Sequence, residues 1–174
     1  MNTQKPQLSE RELVLEKYKS ARTNLLIMIA FTLINIILLF TNAGSMLLFS
    51  ATVPYLAVGV GLVSEFTPVL VVCTIFAAIT LLIYLLCWIF SKKHYGWMIA
   101  ALVLFILDTL VMALTYLGIG DTSGILDVLV HIWVLYYLII GVKYGARMKS
   151  LPAEEPVEPA APADYTSPEN PFEQ

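Results

Sequence analysis

Asp108, Asp127 and His131 are the residues of this chain whose types and spacing suit chemistry, with Asn35 as a further polar group in a similar setting. All of them interrupt apolar runs. Asp127 and His131 stand four positions apart, so a helix puts them on one face. Asp108 lies ten residues from the end of its own run, about 15 Å along a helix. If that run crosses a bilayer, Asp108 sits near the midplane, where an ionised Asp costs on the order of 3 kcal/mol on insertion scales. Such a carboxyl is expected to be protonated or partnered. If the runs holding Asp108 and His131 pack antiparallel, the two side chains differ in depth by about one turn. A polar cluster of Asn35, Asp108, Asp127 and His131 is therefore expected.

Two roles suit it. A structural cluster hydrogen-bonds helices together at roughly 0.6–2 kcal/mol per contact. A functional one has Asp108 and His131 exchange protons or bind an ion. The residue types also offer three metal ligands, but no H-E-x-x-H spacing accompanies them, and His94 falls at the opposite end of the runs. No metal and no cofactor are expected. G-x-S-x-G is absent, and Gly59-Val60-Gly61 lacks the strand–helix context of a dinucleotide fingerprint. The chain is expected not to be an enzyme.

The elements that must position these residues follow from composition. Of 174 residues, 59% are hydrophobic and only 13% charged, with a mean hydropathy of +0.80. Soluble domains have an apolar share of about 45–50% and a charged share near 25%. The bilayer is the solvent such a composition requires. Apolar runs cover 24–40, 67–90, 97–118 and 125–142, each close to the roughly 17–25 residues of a spanning helix. The first begins after a long charged leader and is read as a retained span, not a cleaved signal. Cys73 and Cys87 fall on one helix about 21 Å apart, too far for a disulfide.

The stretch "MLLFSATVPYLAVGVGLV", 46–63, carries no charge and poses the topological question. The ten Lys and Arg residues answer it. Lys5, Arg11, Lys17, Lys19 and Arg22 precede the first run, Lys92 and Lys93 lie between the second and third, and Lys143, Arg147 and Lys149 follow the last. Four spans put them all on the cytoplasmic side; a fifth would export Lys92 and Lys93. Pro54, Gly59 and Gly61 also weaken the stretch as a span. Segment 43–64 is expected to be an outer interfacial hairpin, or a re-entrant one packed among the helices.

The flanks are polar. Ser9 and Glu12 have capping-box spacing, and Val14, Tyr18, Ala21 and Leu25 recur at helical intervals. Residues 1–23 are expected to form an amphipathic helix, on the membrane surface or in water. Residues 150–174 are rich in Pro, Ala and acid and are expected to be a disordered cytoplasmic tail, with Ser167-Pro168 and Asn170 to Phe172 as short docking candidates. Gly141 and Gly145 match the small-xxx-small pattern of close helix contacts. Trp88, Tyr95, Trp97 and Tyr144 mark an inner interface. No basic stripe points to nucleic acid.

The stretches "RTNLL", "NIILLF" and "FSATVPY" resemble small uncharacterised four-helix membrane proteins of bacteria, over the first half of the chain. The resemblance implies the topology and no activity. The expected protein is all-α: a polytopic four-helix transmembrane bundle over 24–145, in the cell membrane, with both termini cytoplasmic. Its expected role is that of an accessory or scaffold subunit. Its partners are the lipid bilayer and another membrane protein or a second copy. The alternative is a small proton- or ion-coupled transporter using Asp108 and His131.

Overall fold

Ser9 caps the first helix of the computed structural model, which describes residues 9–44, 47–119 and 125–152. The Ser9 hydroxyl accepts from the Glu12 amide at 3.3 Å, and the Glu12 carboxylate accepts from the Ser9 amide at 2.8 Å. This reciprocal pair satisfies two orphan donors of the helix end. The helix, α1 (Glu10–Phe40), then runs unbroken for 31 residues, about 46 Å. Over 10–23 the helix expected at the N-terminus is thus the first part of α1. Its stripe of Val14, Tyr18, Ala21 and Leu25 is buried in protein. A 26-residue α5 (Ile125–Ser150), about 39 Å long, reaches the start of α1 through Arg147 and Glu10 and offers the facing surface.

At its other end α1 closes in a Schellman turn. Ala43 N–H donates to Leu38 O at 3.1 Å and Asn42 N–H to Leu39 O at 3.2 Å, with Asn42 at φ +52°. The chain then turns back along α1 and enters the bundle. There it forms α2 (Thr52–Val63), whose 12 residues span only about 18 Å. A three-residue link, 64–66, leads into α3 (Thr67–Phe90), with Pro68 in its first turn. α2 and α3 make an antiparallel hairpin of very close approach. A Cβ on Gly61 would stand 2.9 Å from Leu70 Cα, so only glycine lets the backbones meet there.

α4 (Gly96–Ile119) completes the set. α1, α3, α4 and α5 pack in a ring, each on its two neighbours, and α2 fills the gap among α1, α3 and α4. Tyr18, Leu25, Met28, Tyr84, Met98, Phe105 and Leu138 form the buried centre. No strand occurs among the described residues. α1, α3, α4 and α5 are long and apolar enough to cross a membrane; α2 is not. Cys73 and Cys87 are both free thiols.

The contacts between helix ends gather the basic residues at one end of the ring. Tyr18 donates its hydroxyl to Ser91 O at 2.6 Å, and Arg22 reaches Ser91 Oγ at 2.9 Å and Trp88 O at 3.0 Å. Burial pushes the Tyr18 hydroxyl above its ordinary pKa, so it stays a donor. Arg147 pairs with Glu10 through Nε at 3.1 Å, and Arg11 meets Pro152 O. Gly141 and Gly145 permit this closeness: a Cβ at 141 would lie 3.0 Å from Ala21 Cβ, and one at 145 would lie 2.7 Å from Tyr95 Cβ. The tail over 153–174 lies outside the described residues, as do 1–8, 45–46 and 120–124.

Candidate functional site

The first turn of α2 is where the polar side chains converge. Its N-cap, Ala51, has no side chain able to cap it. A helix start leaves up to four N–H groups without partners, and buried ones need acceptors. Neighbouring helices supply them here. Ala51 N–H donates to Thr32 Oγ1 at 2.8 Å, Thr52 N–H to Asp108 Oδ2 at 2.9 Å, and Val53 N–H to Asp108 Oδ1 at 2.7 Å. The next residue is Pro54, which has no N–H. The whole first turn is therefore satisfied, by α1 and α4.

Asp108 sits in the middle of α4 and is 3% exposed. Its carboxylate faces the positive end of the α2 dipole, which favours a negative group. His131 of α5 is fully buried beside it, with Nε2 3.3 Å from Asp108 Oδ2 and 3.2 Å from Thr52 Oγ1. The imidazole stacks on Phe105, centroids 5.1 Å apart and planes 15° apart. Phe105 and Asp108 are three residues apart on α4, so one helix face offers both ring and carboxylate.

The hydrogen bonds restrict the imidazole. Nδ1 lies 3.0 Å from the backbone oxygen of Asp127, which only accepts, so Nδ1 carries a hydrogen. In the neutral ring Nε2 then accepts, and the Thr52 hydroxyl can donate to it. In the imidazolium Nε2 donates, and the same hydroxyl turns to accept alongside Asp108. The rotating hydroxyl thus serves Nε2 in either charge state, whereas the Asp108 carboxylate at 3.3 Å is a hydrogen-bond partner only of the imidazolium.

Asp127 is half engaged. Tyr116 donates its hydroxyl to Asp127 Oδ2 at 3.1 Å. Asp127 Oδ1 is buried with no hydrogen bond among the described residues, 3.7 Å from His131 Nδ1. Its position in the first turn of α5 suits an anion. Since His131 offers Asp108 and Asp127 opposite ring nitrogens, the three do not converge on one point, and no set of three such ligands gathers elsewhere among the described residues.

Asn35 holds the loop before α2. Its Nδ2 donates to Leu47 O at 2.7 Å and to Ser50 Oγ at 2.8 Å, while Leu47 N–H donates to its Oδ1 at 2.7 Å. Of the residues expected to cluster, Asp108, Asp127 and His131 are brought together; Asn35, on α1, bonds the stretch before α2 and makes no hydrogen bond to any of them. Phe49, at φ +78°, is an uncommon conformation for a bulky residue, and it is pinned edge-on between Phe31 and Trp133 at 6.2 and 5.4 Å.

Sequence reasoning passed over Thr32, Ser50 and Thr52. The overlooked signal is "SATVP": hydroxyl residues just before a proline, the pattern of a helix start. No family model, curated protein or solved structure matches the chain.

Proposed function

We propose that the chain is a multi-pass integral protein of the cell membrane, crossing the bilayer four times with both termini in the cytoplasm. We propose further that it acts as a non-enzymatic accessory or scaffold subunit through partners within the membrane. The outer surface supports the bilayer. Only 11% of the apolar window of α3 is buried, and Val72, Leu82, Val103, Leu114 and Ile132 are all more than half exposed. At about 25 cal/mol per Å² of apolar surface, such a girdle is unfavourable in water and neutral in lipid. The basic end supports the orientation, since cytoplasmic loops carry the excess of Lys and Arg.

In this reading α2 is a re-entrant half-helix. It enters and leaves at the outer end, where Gly59 lies beside Leu39 near the end of α1. The span count is unaffected. Irregular backbone at membrane depth is tolerated where protein satisfies it, and Asn35, Thr32 and Asp108 do so here.

The observation that carries the scaffold role is the engagement of Asp108: each carboxylate oxygen accepts a backbone N–H of α2. A carboxylate so engaged fixes an element in place. The test uses the full chain, isolated from its native membrane in lipid discs. The expected outcome is a defined complex with a membrane partner or a second copy, and vesicles no more permeable to protons than empty ones. A lone monomer whose vesicles pass protons, and stop doing so in Asp108→Asn, overturns it. That outcome belongs to the proton-coupled transporter, which the two hydrogen-bonding states of Thr52 and His131 favour.

A further inference from the structure

The basic end of the bundle contains a cavity of about 450 Å³ between the α3–α4 turn and the last turns of α5. Lys92, Lys93 and His94 border it on one side and Lys149 on the other, over a floor of Tyr18, Tyr95 and Gly145. Among the described residues no carboxylate lines it. Among the other cations of this end, Arg147 pairs with Glu10, and Arg22 bonds Ser91 and lies 5.5 Å over the Trp88 ring. The three lysines have no ion-pair partner among the described residues.

The backbone adds to the same polarity. Tyr95 and Gly96, at the start of the 24-residue α4, border the cavity, and their amides make no hydrogen bond among the described residues. A Cβ on Gly96 would meet nothing within 4 Å, so the helix start is open. Three ammonium groups and a helix N-terminus around one empty space repel one another unless an anion joins them.

We propose that this cavity binds the phosphate of an anionic lipid headgroup. The proposal rests on the membrane reading above. Level and shape point to lipid over soluble phosphate. Trp88 and Trp97 flank the cavity in sequence, at the ring position typical of headgroup depth. Exposed Ile99 and half-buried Met148 give its rim an apolar side for the glycerol and first methylenes. Basic pockets at the cytoplasmic ends of membrane helices recognise lipid phosphates, at roughly a fivefold gain in affinity per Lys or Arg.

The test measures lipid retained by the full chain, by native mass spectrometry after exposure to phosphatidylglycerol or phosphatidylcholine in detergent. Phosphatidylglycerol retention is expected, falling about a hundredfold when Lys92, Lys93 and Lys149 are all replaced by Gln and about fivefold in Lys149→Gln alone. Lys17→Gln with Lys19→Gln, which removes charge from the same end outside the cavity, should leave it unchanged. An equal loss in that control overturns the proposal, as does equal retention of phosphatidylcholine. Displacement of the lipid by inorganic phosphate would assign the site to a soluble anion. A rise in retention when residues 153–174 are removed would assign it to the chain's own acidic tail. If the triple variant does not fold, Lys149→Gln, exposed on α5, decides alone. Membrane-embedded protein that retains no anionic lipid sinks this proposal and leaves the four-span reading standing.

Discussion

Asp108 has two amides to serve and two oxygens to serve them with. An asparagine in its place has one acceptor oxygen and an NH2 that cannot accept. On sequence grounds Asp108→Asn looks mild for a structural residue, because an amide keeps hydrogen-bonding capacity. The observed geometry reverses that expectation. Either Thr52 or Val53 N–H loses its acceptor inside the bundle, at a cost of about 1–3 kcal/mol. Asp108→Leu strands both and should cost more. Asn35 should be unaffected, since its partners are Leu47 and Ser50. Thermal melting in detergent checks this. Equal melting temperatures for wild type, Asp108→Asn and Asp108→Leu would mean that α2 is held by something other than this carboxylate.

Among the elements, α2 is the one whose place depends on contacts distant in sequence. It buries Thr52, Pro54, Val58 and Gly61. Its start is held by α1 and α4 and its far half by α3. Gly61→Ala tests the second attachment without touching the first. The new methyl meets Leu70 Cα, a backbone atom that cannot turn away, so the hairpin must open. Overpacking of this kind costs typically about 1–3 kcal/mol. The substitution also raises helix propensity. A variant that melts at or above the wild-type temperature would therefore show that the α2–α3 contact is looser than described.

At the scale of the whole molecule, the fold makes a topological prediction that a plain outer loop does not. In a background lacking Cys73 and Cys87, single cysteines at Ala43 and Glu65 should react with an impermeant reagent added outside. A cysteine at Lys92 should react only from inside. One at Ser50, 2% exposed between the helices, should react from neither side until the protein is denatured. Free reaction at 50 from outside would return segment 43–64 to the interface and separate α2 from Asp108.

Sequence alone determined the long helices, because each is a local property: a run of apolar residues, a capping box at Ser9 and Glu12, a proline at the start of α3. It also determined that Asp127 and His131 share a face, since helical spacing needs no tertiary information. The close approach at Gly141 and Gly145 was legible as spacing, though not what it would bring together: Ala21, Tyr18 and Tyr95 come from other parts of the chain. Only the tertiary structure decided what Asp108 does. Its partners are backbone amides, and every residue but proline has one. Nothing in the letters Thr52 and Val53 announces that their N–H groups lack acceptors of their own. That need arises where a helix begins inside a bundle, and a carboxylate 55 and 56 residues away along the chain meets it.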